Sequence, residues 1–148
     1  MLQKFVKRWD KNKEKLKTKI EKMVKKGSVY SSYEEIVIDL FKIIINNTEE
    51  KYDVNKIDII DDGNYSGSKI FILHESNYCP DVSEYIYTYV YYGSCSTCDT
   101  LKSIYWDYEQ GEISENETVS ELMTIALHLL QRCKRFEQYT DREENQNE

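Results

Sequence analysis

Residues 84–92 constrain the fold most strongly, because their side chains alternate with a period of two. One face carries Tyr85, Tyr87, Tyr89 and Tyr91; the other carries Ile86, Thr88, Val90 and Tyr92. Such alternation of aromatic and β-branched residues predicts a strand. Segments 56–61 and 69–75 have the same character and flank a turn rich in Asp, Gly and Asn, which predicts an antiparallel hairpin.

Helical patterns flank these three strands. Segment 1–26 has an apolar stripe at three- and four-residue steps and ends at Gly27, which predicts a basic amphipathic helix. A second helix begins at Ser31 or Ser32 and ends at 46–48. A short helix covers 101–108, and a last helix begins at a Thr118–Glu121 capping box, with an apolar stripe reaching Cys133 and Phe136. We therefore predict one α+β domain over 1–138, with two N-terminal helices, a three-stranded antiparallel sheet and two C-terminal helices. Residues 139–148 are predicted to be a polar C-terminal tail.

Charge is distributed unevenly along the chain. The 148 residues have a formal net charge of −7, yet segment 1–26 is strongly basic, so the remainder is an acidic body. No apolar run could span a bilayer, and Lys4, Lys7 and Arg8 interrupt any secretory apolar region. We therefore expect a cytoplasmic protein with reduced cysteines and no membrane partner.

The basic helix has three interpretations. We favour a solvated lysine face, and the alternatives are a nucleic-acid surface and a membrane-surface helix, although anionic lipid would repel the acidic body. The lysines proposed for the nucleic-acid surface are Lys11, Lys13, Lys15 and Lys19. The heptad-like apolar stripe also allows a homodimer.

A cysteine-containing segment follows the tyrosine-rich strand: Gly93, Ser94, Cys95, Ser96, Thr97, Cys98 and Asp99. We favour a structural role, in which a side chain caps the next helix and the cysteines pack as small apolar groups. A small anion, such as a nucleotide phosphate, could instead bind the N–H groups at the helix start. Zinc could be bound by Cys95 and Cys98 together with Cys79 and either Cys133 or His74. One CxxC pair is weak support for such a site, so we predict no cofactor. Thiol–disulfide chemistry is the fourth interpretation.

The same segment carries a resemblance to known proteins. The turn Asn64-Tyr65-Ser66-Gly67 before a strand, followed by strand–Gly-Ser-Cys-Ser-x-Cys-Asp–helix, resembles an uncharacterised family of small bacteriophage and bacterial proteins. The likeness covers roughly residues 60–108, and this chain has Thr97 where that pattern has glycine. It implies a bacteriophage context, and with it the cytoplasm of a host cell, and no particular chemistry.

The tyrosine side of the strand has two possible roles. Alternate aromatic rings can form a stacking platform for bases, as in sheets that bind nucleic acids. They can also lie beneath the first two helices with their hydroxyls at the rim. We favour burial, because several amphipathic helices need a surface to cover.

The chain lacks the common catalytic motifs, which favours a non-enzymatic protein. Our first functional hypothesis is a small phage-encoded inhibitor that occludes a host macromolecule, for example a nucleic-acid-binding defence factor, through an acidic surface. Its candidate residues, in the loop before the last helix, are Glu109, Glu112, Glu115 and Glu117. The alternative is a nucleic-acid or nucleotide-binding module that uses the basic first helix and the Gly93–Asp99 loop.

Overall fold

A computed structural model describes residues 1–63, 66–77, 79–93 and 99–136. Its helices are α1 (Leu2–Lys25), α2 (Tyr33–Asp39), α3 (Thr100–Glu109) and α4 (Glu115–Gln131). Its strands are β1 (Asp58–Asp61), β2 (Gly67–His74), β3 (Tyr85–Tyr92) and β4 (Lys134–Arg135). A π-helix, Leu40–Ile45, continues α2, and a 3-10 turn, Val82–Glu84, precedes β3.

The chain is α+β, but the prediction of a three-stranded sheet is wrong. The sheet has four antiparallel strands in the order β1-β2-β3-β4, and β4 pairs with β3 through Ile86↔Arg135 and Tyr87↔Lys134. The sequence pattern does not predict β4, because the strand has only two residues. In addition, Cys133 and Phe136 continue the spacing of the preceding helix, which made that helix seem longer than it is.

The predicted start of the last helix is also wrong. The helix begins at Glu115, and the hydroxyl of Ser114 accepts a hydrogen bond from the Glu117 N–H at 3.1 Å. The pair Ser114-x-x-Glu117 is itself a capping box, one turn earlier than the Thr118–Glu121 pair. Thr118 is fully buried, which suits a position inside the helix.

The core lies between the helices and one face of the sheet. From α1 it takes the apolar stripe, and from the sheet it takes Phe71, Leu73 and Ile86. The buried Thr88 hydroxyl donates to the Leu129 carbonyl of α4 at 2.7 Å, which satisfies a polar group inside the core. The buried residues of the α1 stripe are Phe5, Trp9, Leu16, Ile20 and Val24.

A polar cluster ties α1 to β4. The nearly buried carboxylate of Glu50 accepts from Lys4 at 2.5 Å and from the Tyr52 hydroxyl at 2.9 Å. Arg8 and Arg135 approach the same carboxylate at 3.5 Å and 3.3 Å. Two cations from α1 and one from β4 therefore meet at one acid.

None of the helices in the described part of the chain is both long and apolar enough to cross a membrane. Helix α1 ends at Lys25, one residue before the predicted end, and Gly27 follows with a φ of +85°, which suits a residue without a Cβ.

Candidate nucleic-acid interface

The structure reverses the predicted burial of the tyrosines on β3. Ile86, Thr88 and Val90 are the buried side chains, whereas the alternating tyrosines are half-buried and Tyr91 is 65% exposed. The helices pack on the face with the smaller residues, because β-branched side chains fit the narrow space against α4. Tyrosine hydroxyls on the outer face keep their contact with water.

The open face continues onto β2. Residues directly opposite each other in paired strands share a face, and Tyr85, Tyr87 and Tyr89 are opposite His74, Ile72 and Ile70. We call this surface the tyrosine face: Tyr85, Tyr87, Tyr89, Tyr91, Ile70, Ile72, His74 and Phe136. Its side chains are apolar or aromatic, and four of the rings carry a hydroxyl group.

The rings of the tyrosine face contact one another along β3. Tyr89 and Tyr91 have centroids 5.9 Å apart, and Phe136 lies 5.1 Å from Tyr87 and 6.3 Å from Tyr85. These distances are typical of interacting aromatic pairs. The contacting rings therefore form two groups along the strand, one of Tyr85, Phe136 and Tyr87 and one of Tyr89 and Tyr91.

Basic groups border these rings. The Arg132 guanidinium lies 5.5 Å from the Tyr89 centroid and 6.0 Å from the Tyr91 centroid. One of its nitrogens donates to the Tyr89 carbonyl at 3.4 Å, which holds the cation against the rings. Lys134 is exposed and lies opposite Tyr87 in the pairing of β3 with β4.

A groove of about 1040 Å³ crosses the tyrosine face. Ile70, Ile72 and Tyr87 line its floor, and Lys134 and the N-terminal residue Met1 lie at its edge. The one acid that the strand pairing brings near it is Asp58, opposite Ile72. An apolar floor with cationic edges suits a planar ligand that carries negative charge.

The Gly93–Asp99 segment lies only partly within the described residues. Ser94, Cys95, Ser96, Thr97 and Cys98 lie outside them. The buried Asp99 carboxylate accepts from the Tyr33 hydroxyl at 2.6 Å and from the N–H groups of Gly93 and Lys102, each at 3.2 Å. Of the N–H groups at the start of α3, where we expected an anion to bind, that of Lys102 is thus bonded within the protein, and Asp99 caps α3.

Tyr33 completes this buried network. Its hydroxyl also accepts from the Leu101 N–H at 3.1 Å. Burial, together with the hydrogen bond to Asp99, raises the pKa of Tyr33 far above its usual range, so the hydroxyl stays protonated. The network connects the start of α2 to the start of α3.

The proposed zinc ligands are not brought together within the described part of the chain. Cys79 is exposed and Cys133 is buried, while His74 Nδ1 lies 2.8 Å from the Glu75 carbonyl oxygen. Burial raises the pKa of the Cys133 thiol to about 12, which disfavours the thiolate that zinc needs. Among the described residues, no three His, Cys, Asp or Glu side chains form a group that could hold a metal ion.

The candidate lysines of α1 differ in their environments. Lys11 and Lys15 are exposed, and Lys13 lies 3.9 Å from Asp10. Lys19 pairs with the buried Asp39, which also accepts from the Tyr30 hydroxyl at 2.6 Å. Lys19 therefore contributes to the fold, whereas the other three point to solvent.

All four candidate acids are exposed near the turn between α3 and α4. The placement of three of them in a loop is wrong, because Glu109 is the last residue of α3 and Glu115 and Glu117 lie in the first turn of α4. Carboxylates are favourable there because of the helix dipole, which is a structural reason for two of the four charges.

Comparison with models of protein families, with curated proteins and with solved structures found no match. The sequence interpretation also missed Arg132, Lys134 and Phe136 as parts of a surface. They follow the last apolar turn of α4, where the two residues of β4 are too few to carry a periodic signal.

Proposed function

We propose that the protein is a non-enzymatic binding protein whose ligand is single-stranded nucleic acid, held on the tyrosine face. The observation that supports this most is the series of half-buried tyrosine rings on the side of the sheet away from the helices, with the Arg132 guanidinium 5.5 Å and 6.0 Å from the centroids of two of them. This is the nucleic-acid alternative from the sequence, moved from the first helix to the sheet.

Stacking accounts for the use of tyrosine. Alternate residues of a strand are about 6.7 Å apart, so the rings of β3 form a regular series along an extended ligand. Bases stack on aromatic rings whatever their identity, because each base has a π-face. A duplex hides those faces, and we therefore expect preference for single strands.

Electrostatic attraction makes the second contribution to binding of the nucleic acid. Arg132 and Lys134 flank the rings and can neutralise phosphates, although the chain as a whole has a net charge of −7. Since counterions are released when phosphates are neutralised, affinity should fall as salt rises. With few cations at the site, that dependence should be shallow.

Fluorescence anisotropy with a labelled twelve-nucleotide DNA or RNA tests the proposal. Tyr87→Ala and Tyr89→Ala should each weaken binding about tenfold or more, given roughly 1–3 kcal/mol per stacked base. Tyr87→Phe and Tyr89→Phe keep the ring and should bind nearly as well as the unmodified protein. Absence of binding, or alanine variants that are folded by circular dichroism and bind with undiminished affinity, would contradict the proposal.

A second set of variants separates the tyrosine face from the basic helix. Arg132→Gln and Lys134→Gln should each reduce the salt slope by about one. The matched variant is K11Q/K13Q/K15Q, which spares Lys19 because Asp39 needs its partner. If that triple variant abolishes binding while Arg132→Gln and Lys134→Gln do not change it, the basic helix is the binding surface and the present proposal is wrong.

Occlusion of a host protein is the second candidate function, and the resemblance to bacteriophage proteins is consistent with it. The observation that favours it is Trp106, which is 55% exposed on α3 and lies three residues before the exposed Glu109. Tryptophan is enriched in protein interfaces, and carboxylates speed association with a basic partner. Its test is capture of a basic partner by the protein and by E109Q/E112Q/E115Q/E117Q. Equal capture by both would contradict it.

A further inference from the structure

A second cavity lies on the helix side of the sheet. It has a volume of about 600 Å³ and is formed where the start of α2, the start of β2, the end of β3 and the start of α3 meet. Among its lining residues are Tyr33, Tyr92 and Tyr105, together with Lys69 and Lys102. Cavities of this size are typical of sites for small organic molecules.

The polar groups in the walls are mostly bonded within the protein. Asp99 is held by Tyr33, Gly93 and Lys102, as described above, and the Tyr92 hydroxyl donates to the Asp61 carboxylate and lies 2.9 Å from the Gly63 carbonyl oxygen. Tyr33 and Tyr92 therefore offer a ligand their rings rather than their hydroxyls. Tyr105 is 49% exposed and lies at the cavity surface.

Two ammonium groups remain as donors toward a ligand. Lys69 lies 5.1 Å from the Tyr92 ring centroid, and Lys102 donates one hydrogen bond to the Gly93 carbonyl at 3.2 Å. An ammonium group has three donors, so Lys102 keeps capacity for an anion. Within the described ranges neither lysine takes part in an ion pair.

We propose that this cavity binds a nucleoside monophosphate, with the phosphate between Lys69 and Lys102 and the base against the tyrosine rings. The carboxylates of Asp99 and of Asp61, which is opposite Lys69 in the strand pairing, are both bonded to donors within the protein, so the two ammonium groups are the donors left for an anion. The aromatic walls favour a planar group on the same molecule. The site shares no residue with the tyrosine face, because Tyr92 and Lys69 belong to the opposite side of the sheet.

Isothermal titration calorimetry with adenosine 5′-monophosphate and uridine 5′-monophosphate tests this inference without any oligonucleotide. Lys69→Gln and Lys102→Gln should each weaken binding about tenfold, as expected for loss of a charge-assisted hydrogen bond. The matched control is Lys56→Gln, which removes an exposed lysine elsewhere and should leave the affinity unchanged. Tyr105→Ala should weaken binding severalfold through loss of a ring contact, and its exposed position makes misfolding an unsuitable explanation.

Inorganic phosphate and adenosine are titrated as two further ligands in the same experiment. Each should bind at least about tenfold more weakly than the nucleotide, because each lacks one half of the contacts. Three results would overturn the inference: no heat with either nucleotide at millimolar concentration, lysine variants that bind as tightly as Lys56→Gln, or inorganic phosphate that binds as tightly as the nucleotide. None of these results depends on whether the tyrosine face binds a single strand.

Discussion

The two faces of the sheet are built from the same strands but differ in what they contribute. On the face that the helices cover, which we call the helix-covered face, β3 presents the buried side chains of Ile86, Thr88 and Val90, and Thr88 is bonded to α4. On the tyrosine face the same strand presents its largest side chains, and they stay half-exposed. The fully buried side chains of β3 therefore lie on the helix-covered face, and the tyrosine face keeps part of its aromatic area exposed.

The two faces should differ most in how much the loss of one side chain lowers the free energy of unfolding. Phe71→Ala removes a fully buried ring from the helix-covered face and should lower the free energy of unfolding by about 3–5 kcal/mol. Tyr87→Ala on the tyrosine face should lower it by only about 1 kcal/mol. Urea denaturation of both variants checks this, and equal losses would contradict the division of roles.

Glu50 provides a second test of the comparison between the two faces, because the cations bound to it anchor β4 at the edge of the sheet. Glu50→Gln keeps the shape but removes the charge that Lys4, Arg8 and Arg135 share, and should cost about 1.5–3 kcal/mol. Urea denaturation at neutral pH measures the loss.

The same residue gives a pH dependence. Burial alone raises the pKa of Glu50, but the hydrogen bonds from Lys4 and Tyr52 outweigh it, together with the charges of Lys4 and Arg8, and the pKa is lowered from 4.5. A lowered pKa in the folded state stabilises the protein above pH 4.5, and this contribution is lost as the pH falls through the folded value. Glu50→Gln should flatten the stability curve in that acidic range. An unchanged curve would contradict the assignment.

Thr88 tests how closely the helix-covered face is fitted. Thr88→Val retains the volume but leaves the Leu129 carbonyl without this donor, and should cost about 1 kcal/mol. Thr124 is the matched control, since its hydroxyl donates to the Ser120 carbonyl at an exposed position. Thr124→Val should change stability by less than about 0.5 kcal/mol, as is usual at exposed sites. Thermal unfolding of the two variants measures the difference.

The smallest effect concerns thiol reactivity. Cys133 is buried under the helix-covered face, and burial raises its pKa to about 12, whereas Cys79 is exposed. In the native protein at pH 8, iodoacetamide should label Cys79 and leave Cys133 unmodified, as mass spectrometry of peptides would show. Labelling of both at similar rates would mean that the helix-covered face opens readily.

Local periodicity predicted the elements that are long and strongly patterned. The stripe of α1 and the alternation of β2 and β3 needed no tertiary information, because a helix or strand of this length repeats its signal several times. The cap by Asp99 was likewise within reach of sequence rules.

The remaining features depend on contacts between distant residues. Strand β4 exists because β3 offers a free edge, and two residues carry no periodic signal of their own. Burial of one face of β3 was decided by which side chains fit against α4, and alternation alone is symmetric between the two faces. The partners of Lys19 and Glu50 follow from packing of α1, so the sequence showed only a run of charges.

Aromatic-resolved NMR of protein with isotope-labelled tyrosine tests the central claim most directly. On addition of a twelve-nucleotide single strand, the ring signals of Tyr85, Tyr87, Tyr89 and Tyr91 should shift together. The signal of Tyr52, which is buried in the core, should stay in place and serve as an internal control. Unmoved signals from the tyrosine face in the presence of a bound strand would contradict the account.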